Sequence, residues 1–244
     1  MPVKEIIKVW DNGSIIKENV KFLMTHTKDV TFPITNNVGT IINDLIDTYE
    51  KITCAGIAAN QIGYNKNIFI GKKYDEDEND DFQIYINPII DKVSEDSLQT
   101  GPEGCLSIPD LSLNIERYDK ISVRWYDQKG RKKTDKASGF ISRLFQHEIE
   151  HLNGKLMIGG RIHSGRSDDS VIISLYYDLV ELLFGEVVCP FYEQIDVVPF
   201  AKQIKHRCKS KLLDGDCEKF VDIYCKNSAR TYMTCTFFDK KMVL

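Results

Sequence analysis

The stretch Gln146-His147-Glu148-Ile149-Glu150-His151 carries two imidazoles four residues apart, with a carboxylate directly after the first. On a helix, residues i and i+4 stack on one face, so His147 and His151 can reach a single metal ion. Glu148 then lies beside that ion, placed to handle a proton on an activated water. The H-E-x-x-H pattern is short, and a polar helix can carry it without a metal, so the third ligand decides its meaning. In the extended protease form, H-E-x-x-H-x-x-G-x-x-H, Gly154 is in place but Met157 stands at the third His position. That protease site is excluded, and the third ligand comes from elsewhere.

A helix must position these groups. Ile141, Leu144, Phe145, Ile149 and Leu152 recur near a 3.6-residue period, which predicts a helix over 138–153. Ser138 is its expected N-cap, and Asn153-Gly154 its stop. Upstream, Ile41, Ile42, Leu45, Ile46 and Tyr49 predict an amphipathic helix over 38–51, opened near Thr35 or Asn36. The small-residue run Cys54-Ala55-Gly56-Ile57-Ala58-Ala59-Asn60-Gln61 lets a backbone approach either a packed helix or a ligand closely. Residues 68–70, 83–90 and 121–126 read as strands, and Asp127-Gln128-Lys129-Gly130 as a hairpin turn. The first thirty-odd residues read as an extended arm with turns, such as Asp11-Asn12-Gly13. The acidic run 75–81 is a solvated loop lacking EF-hand spacing, and Arg131-Lys132-Lys133 a solvated hairpin.

Hydrophobic residues make up 42% of the 244, charged residues 28%, and the net charge is −4. This is the composition of a soluble globular protein, without the basic field that recruits nucleic acid or an anionic membrane. No apolar run is long enough to span a bilayer, and the N-terminal residues lack a signal- or transit-peptide layout, so the expected location is cytoplasmic. Seven cysteines with no C-x-x-C pair argue against a zinc ribbon.

After Gly159-Gly160 the character changes: residues 163–169 read as a linker, and Val171 to Phe184 as a helix apolar on most faces. The rest, with five of the seven cysteines, is expected to be mostly helical. A second metal site from His206, Cys208, Cys217 and Cys225 fits no common spacing.

Two sources remain for the third ligand. Cys105 lies in Gly101-Pro102-Glu103-Gly104-Cys105-Leu106-Ser107, flanked by Gly and Pro at an expected strand end. As a thiolate beside two imidazoles it would leave one position for water, the arrangement of a catalytic site; taken alone it reads as a buried core cysteine. Asp178 or Glu181, on the following helix, would instead make a zinc endopeptidase. In a third reading the metal is only a structural staple, but such a closed site needs neither Glu148 nor Gln61.

The stretches Gly56-Ile57-Ala58-Ala59-Asn60-Gln61, Glu103-Gly104-Cys105-Leu106-Ser107 and Gln146-His147-Glu148-Ile149-Glu150-His151 resemble, in order and separation, the three motifs of the peptide deformylase family. The resemblance covers roughly residues 1–163; 164–244 form an extension that it does not match. Cys54 departs from the Gly usual there, a departure that the mitochondrial branch shares. The resemblance implies an α+β fold, with antiparallel strands around the H-E-x-x-H helix. It implies removal of the formyl group from the N-terminal formylmethionine of new polypeptides, releasing formate. Cys105, His147 and His151 would hold one Fe²⁺ per chain, with Zn²⁺, Ni²⁺ or Co²⁺ as substitutes. Glu148 would move the proton, while the Gln61 side chain and the Leu106 N–H face the oxyanion. Gly56, Ile57, Glu103, Gly104, Phe140 and Leu144 would line the substrate. Ile57, Phe140 and Leu144 are expected around the methionine, with Gly56 beside an extended peptide backbone. A carboxylate next to the thiolate needs a cation, and Arg117 is the expected partner of Glu103. The extension is open to packing on the core, self-association, or docking to a partner such as the ribosome.

Overall fold

A computed structural model describes residues 3–73, 82–158, 161–162, 170–184, 192–197 and 204–208. The chain divides into two compact units, Met1–Met157 and Ile158–Leu244.

The first unit is built on a five-stranded antiparallel sheet. Its order is β3 (Gly56–Ala58), β4 (Ile68–Lys72), β5 (Phe82–Val93), β8 (Lys120–Tyr126), β9 (Lys132–Ser138). Strand alternation sends successive side chains to opposite faces. On β4, Ile68 and Ile70 therefore join α2 (Asn36–Tyr49), packing among Ile41, Ile42 and Leu45. Phe69 faces the other way, among Tyr85, Val123 and Trp125, and meets α3 (Gly139–Leu152) at Phe145 and Ile149. Being buried on both faces explains why 68–70 is an unbroken apolar run. The α3 side is an aromatic cluster: Phe69 stacks on Tyr85 at 4.5 Å, and Phe145 meets both edge-on at 5.4 and 4.7 Å.

A separate hairpin pairs β6 (Leu98–Cys105) with β7 (Ile108–Tyr118). Its register shifts between Gly104 and Cys105, so that Cys105 lies opposite Ile108. Near the start, β1 (Trp10–Asp11) and β2 (Ser14–Ile15) form a small hairpin through Asn12-Gly13, followed by α1 (Lys17–Leu23). The reading of this region as an extended arm missed α1. That helix is only seven residues long, too short for its sequence period to stand out, and it buries just Val20 and Leu23.

The caps of α2 and α3 differ. Thr35 accepts from the Val38 N–H and starts α2. Ser138 occupies the N-cap position of α3, yet its side chain makes no capping bond. The Gly139 N–H instead donates to the carbonyl and the carboxylate of Asp119, across the fold. At the other end Gly154 has φ +70°, and a Cβ there would sit 2.4 Å from the Met24 carbonyl oxygen. Only glycine fits both the conformation and the space.

In the second unit, β10 (Arg161–Ile162) precedes α4 (Ser170–Phe184), and β11 (Tyr192–Val197) pairs antiparallel with β12 (Ile204–Cys208). Among the described residues of the extension, α4 is the expected helix, while this hairpin is strand rather than helix. Gln194-Ile195-Asp196-Val197 alternates polar and apolar residues, a two-residue period readable as strand, whereas Ile204-Lys205-His206-Arg207 carries no such alternation. Cys217 and Cys225, and the acidic run 75–81, lie outside the described residues. No helix among the described residues is long and apolar enough to cross a membrane.

Candidate active site

Three elements converge on one point. The bulged end of β6 presents Cys105, the inner face of α3 presents His147, Glu148 and His151, and the 3-10 turn Ala59–Ile62 after β3 presents Gln61. Cys105 Sγ and one nitrogen from each of His147 and His151 lie within 4.8 Å of one another. The Cys105 Sγ to His151 Nε2 distance is 3.1 Å, and the two imidazoles stand edge to face at 4.9 Å. Among the described residues, this is the group able to share an ion.

Electrostatics prepares the thiol for ligation. Burial alone would raise its pKa, but the charges and hydrogen bonds of His151 and His147 outweigh burial and hold it at about 5. A soft thiolate with two imidazoles suits a divalent transition metal, and three protein ligands leave a coordination position open.

The candidate ligand His147 is itself held from behind. Its Nδ1 lies 3.1 Å from Glu103 Oε2, which directs the other ring nitrogen toward the thiolate side. Arg117 grips Glu103 through two bonds, Nε to Oε1 at 3.0 Å and a terminal nitrogen to Oε2 at 2.9 Å. Arg143 adds a third at 2.6 Å and donates also to the carbonyls of Gly101 and Ile115, tying the β6–β7 hairpin to α3. Burial would raise the pKa of Glu103, but the bonds from His147 and Arg117, with the Arg117 charge, hold it down at about 2. Glu103 thus has the cationic partner expected of it. Both of its oxygens are taken, and only 10% of its side chain is exposed. Sequence reasoning missed Arg143. The signal was available, since Arg143 precedes His147 by one helical turn.

Glu148 is buried, and its Oε2 has no hydrogen-bond partner. Burial raises its pKa to about 7, only partly offset by His147 and His151. Gly56 makes room for it: a Cβ there would stand 2.8 Å from Glu148 Oε1 and 2.8 Å from Leu144 Cδ1. Gln61 is oriented by its own turn. Its Oε1 accepts from the Ala58 N–H at 2.9 Å, which points Nε2 toward Cys105 Sγ at 3.6 Å and Ser107 Oγ at 3.3 Å. Asn60, also missed from sequence, donates to the His151 carbonyl at 2.6 Å and ties this turn to the end of α3.

Of the three side chains expected around an apolar slot, Leu144 lies against Gly56 and Gly71 beside Glu148. Phe140, one turn earlier on α3, is 56% exposed. Ile57 is corrected: alternation along β3 turns it away from α3 and into the α2 core, while Gly56 and Ala58 face α3. Leu106 follows Cys105 in the β6–β7 connection, its side chain on that same core, and Gly104 sits opposite Ser112.

The sequence from residue 13 to 165 matches the family described as polypeptide deformylase. The chain belongs to that family. A peptide deformylase of Elusimicrobium minutum is 38% identical over 150 residues, covering 59% of this chain and 84% of that protein. The crystal structure of the Thermotoga maritima peptide deformylase is 28% identical with a TM-score of 0.54, covering 64% of this chain and 95% of that one. A class I type b peptide deformylase of Acinetobacter baumannii, in a crystal structure bound to Met-Ala-Ser, is 25% identical with a TM-score of 0.53, covering 64% and 96%. Enzymes of this family remove the formyl group from N-terminal formylmethionine, so the chain is a deformylase-family enzyme.

Proposed function

We propose that this chain hydrolyses the formyl amide of N-formyl-Met peptides at the Cys105–His147–His151 centre, using one divalent metal ion and releasing formate. The convergence of those three ligand atoms beside a buried, unpartnered Glu148 oxygen carries the reading. Fe²⁺ is the ion put forward, with Zn²⁺, Ni²⁺ and Co²⁺ sharing the same ligand preferences.

A cation held there supplies Lewis acidity, making a water nucleophilic near neutral pH and polarising the formyl oxygen. Glu148 accepts the proton of the attacking water and delivers it to the leaving nitrogen. That task is worth typically about 10²–10⁴-fold. Gln61 Nε2 and the Leu106 N–H donate to the oxyanion as the formyl carbon becomes tetrahedral; each such donor is worth about 3 kcal/mol. Gly56, at the edge strand β3, offers its main chain to an extended peptide backbone, and Gly104 lies on the other side of the centre. Leu144, with Phe140 at its outer end, forms the apolar wall for the methionine. The Met-Ala-Ser peptide held by the Acinetobacter baumannii relative has the form of a deformylated product and supports this substrate class. We place the catalytic domain at 1–163 and locate the enzyme in the cytoplasm.

Formate release from formyl-Met-Ala-Ser, measured anaerobically with Fe²⁺ or in air with Ni²⁺, tests the proposal. Turnover by the native chain and its loss in Glu148→Ala are expected. No formate above that control would overturn it.

A further inference from the structure

Gln61 and Leu106 belong to parts of the fold that share no strand ladder. Gln61 follows β3 of the five-stranded sheet, whereas Leu106 and Ser107 join β6 to β7. Side-chain links between the two parts run from Gln61 Nε2 to Ser107 Oγ at 3.3 Å and to Cys105 Sγ at 3.6 Å. Two short main-chain bonds span the gap, and both come from the N-terminal arm. The Ile7 N–H donates to the Gln61 carbonyl at 2.8 Å, and the Val9 N–H donates to the Ser107 carbonyl at 2.8 Å. In an extended chain the N–H groups of residues i and i+2 point the same way, so one short segment can grip both loops at a fixed spacing.

The arm is anchored at each end. The Lys4 ammonium lies 3.4 Å from Asp44 Oδ2 and over the Tyr64 ring, and the Lys4 main-chain N–H donates to Thr48 Oγ1, fastening the arm to α2 and the loop after the 3-10 turn. Ile6 packs on the same core as Leu106. Val9 is buried and accepts from the Ile16 N–H, which locks the far end into the β1–β2 hairpin.

We propose that residues Lys4–Val9 act as a strap that sets the spacing between Gln61 and Leu106, making Lys4, Ile7 and Val9 positioning residues for the oxyanion. The inference rests on the deformylase reading of the centre. None of the three touches substrate; each acts through the carbonyls of Gln61 and Ser107. Transition-state stabilisation is steep in geometry, and a displacement of about 1 Å can cost about 10²-fold. Slack in the strap therefore lowers kcat and leaves KM and the metal ligands in place.

Ile7→Pro removes one of the two gripping N–H groups, and Lys4→Met loosens the distal anchor without touching the backbone; Lys4→Arg restores the cation. In the full-length chain loaded with Ni²⁺ and assayed with formyl-Met-Ala-Ser, Ile7→Pro is expected to lower kcat about 10–100-fold. Lys4→Met should lower it several-fold and Lys4→Arg should restore it, with KM within about twofold and metal content unchanged. Amide hydrogen exchange gives a readout independent of activity: segments 59–63 and 104–108 should exchange faster in Lys4→Met, while α3 does not. Should Ile7→Pro not fold, the Lys4 pair and the exchange data decide alone. Unchanged kcat and exchange in Lys4→Met would overturn the strap, as would a kcat loss matched by metal loss. If the native chain released no formate, the deformylase reading would fall, and the exchange data would still judge the mechanical tie.

Discussion

Glu103 Oε2 lies 3.1 Å from His147 Nδ1, so a carboxylate on β6 fixes the imidazole of a helix that follows it by more than thirty residues. Two arginines hold that carboxylate in turn, Arg117 from β7 and Arg143 from α3. Removing its charge leaves Arg143 without its carboxylate and Arg117 with Glu150 alone, in a poorly solvated site. Glu103→Gln should weaken metal binding about 10–100-fold, measured by chelator competition, with a proportionate loss of turnover at limiting metal.

The same carboxylate makes stability depend on acid. Its folded pKa of about 2 lies below the unfolded value of about 4.3. Its contribution is therefore complete above pH of about 4.3 and is lost as pH falls from there toward about 2. For chelator-treated protein the full loss is on the order of 3 kcal/mol, of which about 1.7 kcal/mol falls between pH 6 and pH 3, read from urea midpoints. Glu103→Gln should flatten that limb.

Gly56→Ala puts a methyl group 2.8 Å from Glu148 Oε1, well inside contact distance. The carboxylate, being the end of a flexible side chain, will swing away rather than the strand. Turnover should fall about 10²-fold or more, while the melting temperature drops only a few degrees. A Gly56→Ala enzyme within threefold of native turnover would show that Glu148 does not need its present position.

Cys54 lies at the start of the small-residue run, half-buried. Burial, reinforced by the Glu148 charge, pushes its thiol up to about 12. It should stay protonated at pH 8, and iodoacetamide should label it at least about a hundredfold more slowly in the native protein than in urea. Mass spectrometry of the peptide containing Cys54 follows the two rates.

Phe145 fills the aromatic cluster between α3 and the sheet. Phe145→Ala should cost about 3–5 kcal/mol of unfolding free energy by denaturant titration. The cavity lies directly beneath the turn that carries His147, so metal affinity should weaken as well.

Much of the centre was legible because its signals are local. His147, Glu148 and His151 share one helix whose period and stop are written in residues 138–154, and the order of three short motifs picked out Cys105 and Gln61. Residues 68–70 could be read as a strand from their β-branched and aromatic run. Their burial on both faces could not, because it depends on α2 and α3 arriving from distant parts of the chain. Ile57 shows the same limit. Its place in the motif suggested a slot wall, but a two-residue alternation, phased by where β3 meets β4, turned it into the opposite core.

The sequence by itself determined the three candidate donors, the carboxylate beside them and the helix that spaces the two imidazoles, since a helical repeat fixes i and i+4 without further help. Only the tertiary structure decided how those groups are held. The Glu103–Arg117–Arg143 cluster, the orphaned Glu148 oxygen and the arm gripping Gln61 and Ser107 all join segments far apart in the chain. Side-chain charge, burial and main-chain hydrogen bonds act through space, and sequence spacing carries no record of which distant segments will meet.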